Sequence, residues 1–119
     1  AGHSVNPNYP EFRDPDQHPV MGAGPMLKIN ANQRYASGAK GQALWLQACF
    51  ESGQATQEFV SNNAVTCGST IGPLTATRLG IETVDVGVPL LSMHSARELS
   101  SIADCYSLSL ILRGYWNLA

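Results

Sequence analysis

Beyond residue 25 the hydrophobic period of this chain switches repeatedly between that of a strand and that of a helix, and this alternation limits the fold more than any single motif. Met26 to Asn30 (MLKIN) is a short apolar run, expected as a strand. Ser37 to Ser52 reads as a helix, because Leu44, Trp45, Ala48 and Cys49 make one apolar stripe and Gly53 follows as a stop. Gln57 to Val60 (QEFV) is a second strand. Cys67-Gly68-Ser69-Thr70 then leads into a helix capped by Ser69 or Thr70, with Pro73 tolerated in the first turn and Gly80 at the end. Ile71, Leu74 and Leu79 mark the side of that helix expected to be buried. Glu82 to Val88 is a third strand, with Val84, Val86 and Val88 on one face. From about Ser95 to Leu118 runs a final helix on which Leu99, Ile102, Ala103, Tyr106 and Leu110 follow the helical period. Leu108, Ile111, Leu112 and Tyr115 widen its apolar surface, so it is expected to be buried on most sides. Three strands alternating with three helices predict an α/β fold, a sheet with helices on both faces in three layers.

Residues 1 to 25 are different. Pro7, Pro10, Pro15, Pro19 and Pro25 leave no room for a regular element of useful length. A loop this long in a compact domain is expected to be functional or disordered. The 119 residues therefore divide into a loop region, 1–25, and an alternating α/β region, 26–119.

Charged residues make up 13% of the chain, about half of the roughly 25% usual for globular domains, while 44% is apolar. Much of the surface is thus expected to lie against a partner subunit or another part of the same polypeptide. The net charge of −2 and the lack of a basic stripe argue against nucleic acid. No apolar run approaches the roughly 20 residues that span a bilayer, and the start has no signal-peptide pattern. The chain does not begin with Met, so a processed, trimmed or excerpted polypeptide is expected. Cys49, Cys67 and Cys105 are odd in number and form no C-x-x-C pair, which points to a reducing, cytoplasmic setting and to buried thiols acting as small hydrophobes.

Few side chains stand out for chemistry. His94, in LLSMHSARE, falls between the third strand and the last helix, where α/β sheets place ligands. It either binds a metal or is hydrogen-bonded inside the fold. His3 lies in the opening loop, and His18 reads as a surface residue. Lys28 either faces water on an edge strand or points into a cleft where it binds an acidic group. Arg34 is ordinary, and Tyr35 is core filler or a pocket hydrogen-bond donor. The segment CGSTIGP lacks the spacing of a nucleotide-binding loop and reads as a tight turn with a helix cap.

Taken together, HSVNPNYPE, GPMLKINANQRYA, CGSTIGP and TVDVGVPLLSMHSARE, in that order, resemble the aspartyl aminopeptidase family. These are di-zinc exopeptidases that remove N-terminal Asp or Glu, and the likeness covers nearly the whole chain. The resemblance implies that His94 is a zinc ligand. It implies that His3 contacts substrate and has a catalytic role at the carbonyl oxygen. It implies that Lys28 and Tyr35 line the substrate site. The family pattern often has a second histidine where Asn6 stands. The remaining metal ligands and the general-base glutamate would lie upstream of Ala1.

The expected function is therefore the C-terminal part of a zinc-dependent aminopeptidase, with two divalent ions in the complete site, peptide substrates and a large homo-oligomer. This chain alone is expected to be inactive, since a catalytic zinc needs about three protein ligands. The alternatives are a related di-metal exopeptidase of other specificity and a non-catalytic assembly module.

Overall fold

The MLKI segment sits at the centre of the sheet that organises the chain. The computed structural model describes residues 2–12, 14, 16–60, 64 and 66–118. Pro15, one of the prolines counted above, lies outside them. Strand β1 is Gly2–His3, a 3-10 turn covers Pro10–Phe12, and β2 is Met26–Ile29. Helix α1 (Ala39–Ser52), β3 (Gln57–Val60) and α2 (Ile71–Leu79) follow. The chain ends with β4 (Val86–Gly87), β5 (Pro89–Leu91), β6 (Leu99–Ser100) and α3 (Ile102–Leu118). The class is mixed α/β, as the alternation predicts.

The strands form two three-stranded sheets, ordered β3-β2-β4 and β1-β5-β6. In the first, β2 pairs parallel with β3, Met26 opposite Gln57, and antiparallel with β4, Leu27 opposite Val86. In the second, β5 pairs parallel with β1, His3 opposite Leu90, and antiparallel with β6, Leu91 opposite Leu99. The expected third strand, Glu82 to Val88, is thus shorter, and the chain changes sheets between Gly87 and Pro89. Proline has no N–H for a ladder, so the old pairing stops there and β5 starts afresh.

Helix α1 starts two residues later than predicted and stops at Gly53, which takes the left-handed conformation and donates its N–H to Phe50 O at 3.1 Å. Its stripe is real. Trp45, Ala48 and Cys49 pack with Leu27 of β2 and Ile111 of α3 into one buried cluster, joined at its edge by Val84, Val86 and Leu108. Full burial of a side chain the size of Leu27 stabilises the fold by about 1.5–3 kcal/mol. Trp45 keeps its indole N–H satisfied, donating to Thr56 Oγ1 at 2.9 Å, and Thr56 in turn donates to Pro25 O.

Two helix faces depart from the periodicity reading. Ile71, Leu74 and Leu79 of α2 are exposed, Ile71 by 78%, and the buried residue is Gly72. A Cβ at Gly72 would overlap the Asp85 carboxylate, so this helix approaches the sheet through its smallest residue and turns its large apolar ones outward. The final helix begins at Ile102 rather than Ser95, because Leu99 and Ser100 pair with β5 instead. Only its Asp104, Leu108 and Ile111 side faces the core, while Ile102 is 87% exposed and Tyr106 and Trp116 are also exposed. Periodicity shows that a helix has an apolar stripe but does not say whether the covering surface belongs to the same chain. Among the described residues no helix is long and apolar enough to cross a membrane.

Apart from β1 and the 3-10 turn, the opening loop is held mainly by side chains. Asp104, 1% exposed, accepts the N–H groups of Gly22 at 2.8 Å and Gly24 at 2.9 Å. Gln57 clasps the same loop, accepting from Val20 N and donating to Val20 O and Gly24 O. Ser4 donates to Pro19 O, and Val5 N–H bonds the same carbonyl. Replacing Asp104 by Ala leaves two loop amides without their acceptor, and should lower stability by about 2–4 kcal/mol, with Asp104→Asn costing less. Urea midpoints of the protein that carries this segment check this, and equal midpoints for Asp104→Ala and wild type would refute it.

Candidate functional site

Both sheets contribute to a cavity of about 710 Å³. Its wall includes His3 of β1, Lys28 of β2, Tyr35 of the loop after β2, and His94 of the turn after β5. All four residues singled out by the resemblance therefore meet at one place, although they span more than ninety positions of sequence. Gly2 explains how the sheets come close enough. A Cβ there would lie 2.5 Å from Met26 Cε and 3.3 Å from Lys28 Cε, so glycine lets β1 rest on the β2 side chains without shifting their ends.

Lys28 is 6% exposed. It lies on a central strand, not an edge, and its side chain lines the cavity, so it does not face water on an edge strand. Its ammonium lies 5.1 Å from the centroid of the Tyr35 ring. Burial pulls its pKa below the usual lysine value, and the nearby charges of Asp85 and Cys67 only partly offset that. Among the described residues no carboxylate or carbonyl is hydrogen-bonded to this nitrogen. Tyr35 packs edge-on against Phe59, centroids 6.0 Å apart, and its hydroxyl accepts from Cys67 Sγ at 3.3 Å.

The cysteines do not share one role. Cys49 is buried, and desolvation pushes its thiol up to about 11, against a weaker opposing hydrogen bond from Thr56. Cys67 is half-buried on the cavity wall, and Cys105 is exposed. The expectation of three buried thiols holds only for Cys49, since the odd count constrains pairing and not location.

His94 occupies an exposed turn between β5 and β6, not a strand-to-helix junction. Ser92 and His94 both have positive φ, 57° and 69°, uncommon for residues with side chains. Ser95 N–H closes the turn onto Ser92 O at 3.0 Å. His3 is exposed on the paired strand β1, and His18 is exposed away from this cavity. Imidazole is a donor that zinc accepts. Among the described residues, however, no group of three or more His, Cys, Asp or Glu is arranged to hold a metal ion. The chemistry of the His94 imidazole suits a metal, and the described residues do not supply it with two further such ligands.

Asp85 escaped the sequence reading. Its carboxylate accepts from Ala36 N at 2.7 Å and from Thr70 Oγ1 at 2.7 Å, and its carbonyl accepts from Lys28 N at 2.9 Å. Thr70 also caps α2 by accepting from Gly72 N. One residue thus ties the central strand to the Tyr35 loop and to the Cys67–Thr70 segment. Within TVDVGV its position opposite the valines looks solvent-facing; a lone acid between two valines was the only signal.

Residues 1–116 match the family described as aminopeptidase I zinc metalloprotease (M18). A relative from Streptomyces avermitilis, named "Probable M18 family aminopeptidase 2", is 53% identical over 109 residues, 92% of this chain and 25% of the relative. Among solved structures, Ape4 in its cryo-EM complex with Nbr1 superposes with a TM-score of 0.91 at 37% identity, covering 98% of this chain and 22% of that one. The mApe1 dodecamer of S. cerevisiae gives a TM-score of 0.79 at 30% identity, covering 97% and 25%. The chain thus spans about a quarter of the length of the curated relatives it matches.

A lysine whose folded-state pKa lies below its unfolded value binds fewer protons folded than unfolded between the two. Stability should therefore rise as pH climbs through the window that ends near 10.5, the ordinary lysine value. Lys28→Met should flatten that rise, as read from urea midpoints between about pH 8 and 11. Parallel curves for the two proteins would show that Lys28 pays no desolvation cost.

Proposed function

The chain belongs to the M18 family of aminopeptidase I zinc metalloproteases, and from that premise we propose that it is the C-terminal part of the catalytic domain of an aminopeptidase that removes acidic N-terminal residues from peptides. The observation that carries this reading is the convergence of His3, Lys28, Tyr35 and His94 on one cavity. In the proposal, 1–25 is the active-site loop region and 26–119 the alternating scaffold behind it. The cytoplasmic assignment is supported by three free cysteines.

Zinc, two ions per complete site in this proposal, supplies Lewis acidity that polarises a scissile carbonyl and lowers the pKa of water. His94 contributes one imidazole nitrogen to that site. The other ligands and the general base come from the remainder of the polypeptide, so the 119 residues alone do not hydrolyse peptides. His3, on the strand paired with β5, donates a hydrogen bond to the carbonyl oxygen as negative charge develops there. Lys28 selects the substrate. Its ammonium has given up hydration on burial, so an entering carboxylate replaces lost water and favours the charged form. A neutral side chain offers no such exchange. The Tyr35 ring, braced by Phe59, holds the ammonium in place.

Self-assembly is part of the proposal. Low charge and the exposed Ile71, Leu74, Ile102 and Trp116 support extensive covering of the helices by protein.

In the full-length enzyme Lys28→Met should lower kcat/KM for an N-terminal Asp substrate by about 30–150-fold while sparing a neutral one, the loss of a charge-assisted contact worth about 2–3 kcal/mol. Unchanged preference for Asp would remove Lys28 from specificity and favour a related exopeptidase. Elemental analysis of His94→Ala should show loss of zinc, and full retention would mean that His94 is not a ligand.

A further inference from the structure

The turn that carries His94 is gripped at its pivot by a carboxylate, and we infer that Glu98 is a positioning residue for the His94 imidazole. This rests on the reading of His94 as a zinc ligand. The hairpin formed by β5 and β6 has Leu91 opposite Leu99 as its last pair, so the chain from Ser92 to Glu98 must turn back between these fixed points. It does so with Ser92 and His94 both at positive φ. Side-chain-bearing residues persist in that region only where their surroundings hold them. Two contacts supply the hold. Ser95 N–H bonds Ser92 O at 3.0 Å. Glu98 Oε1 accepts the backbone N–H of His94 itself at 2.6 Å, a charge-assisted bond.

The second contact acts at the atom that sets the ring's direction. The bond fixes the peptide plane that precedes His94, and with the φ of 69° held by the closed turn that plane sets where the Cα–Cβ bond points. Glu98 is itself anchored, because the next residue, Leu99, is locked into β6. Arg97 N–H bonds Ser95 Oγ at 3.0 Å, which stiffens the segment between turn and glutamate. Glu98 acts on His94 through the main chain. Partners that orient a metal-binding histidine typically account for 10–100-fold in metal affinity. In sequence the signal is the His-x-x-x-Glu spacing of MHSARE, which a helical reading of the segment assigns to one helix face.

The test is zinc affinity of the full-length protein, measured by competition with a chromophoric chelator. Glu98→Ala should bind zinc about 10–100-fold more weakly. Glu98→Gln, whose amide oxygen can still accept the N–H, should recover most of that affinity. Glu98→Asp keeps the charge but withdraws the oxygen by one methylene, and should behave like the alanine variant even if Glu98→Ala fails to fold. Wild-type affinity in Glu98→Asp or Glu98→Ala would overturn the inference. So would a Glu98→Gln as weak as the alanine variant, since charge rather than the hydrogen bond would then matter. His94→Ala separates the two levels. If it keeps its zinc, the ligand reading fails; if it loses zinc while Glu98→Ala does not, only the role of Glu98 fails.

Discussion

The site depends on the Asp85 carboxylate. Three segments distant in sequence meet on this residue: the central strand through its carbonyl, the Tyr35 loop through Ala36 N–H, and the entrance of α2 through Thr70. Each would otherwise leave a polar group unpaired in a partly buried place, which costs more than the bond itself contributes. Gly72 completes the arrangement by leaving room for the carboxylate against the first turn of the helix. The same charge lies near Lys28 and partly restores the ammonium that burial disfavours. Asp85 thus shapes the cavity wall and tunes its cation.

Two residues that line the cavity have unlike settings. Lys28 is desolvated, stacked on Tyr35 and set in the middle of a sheet whose ladder leaves it little freedom. His94 stands on an exposed turn with an unusual backbone conformation. Under the proposed function, rigid placement suits Lys28, because a carboxylate gains most from a cation already stripped of water. Exposure likewise suits the ligand role proposed for His94, since a buried lone imidazole would have to satisfy its nitrogens locally.

Two helices turn large apolar residues outward. Helix α3 faces its own chain with Asp104, Leu108 and Ile111 and turns Ile102, Tyr106 and Trp116 away. Helix α2 does likewise with Ile71, Leu74 and Leu79. These exposed apolar side chains accompany a charged share of 13%, about half the usual level for globular domains.

What the residues alone determined was local. Helix stops at Gly53 and Gly80, a cap at Ser69 or Thr70, the strands MLKIN and QEFV and the α/β class were all legible, because each depends on neighbours within a few positions. The motifs also pointed to His3, Lys28, Tyr35 and His94, through likeness rather than through any property of their spacing. Only tertiary structure decided which face of α2 and α3 is covered, that Leu99 pairs as a strand, that the chain changes sheets at Pro89, and that Asp85 joins the pieces. Those outcomes depend on which surfaces compete for a given residue across long stretches of chain. A pattern of apolar period carries no record of the partner, so the contact itself had to supply it.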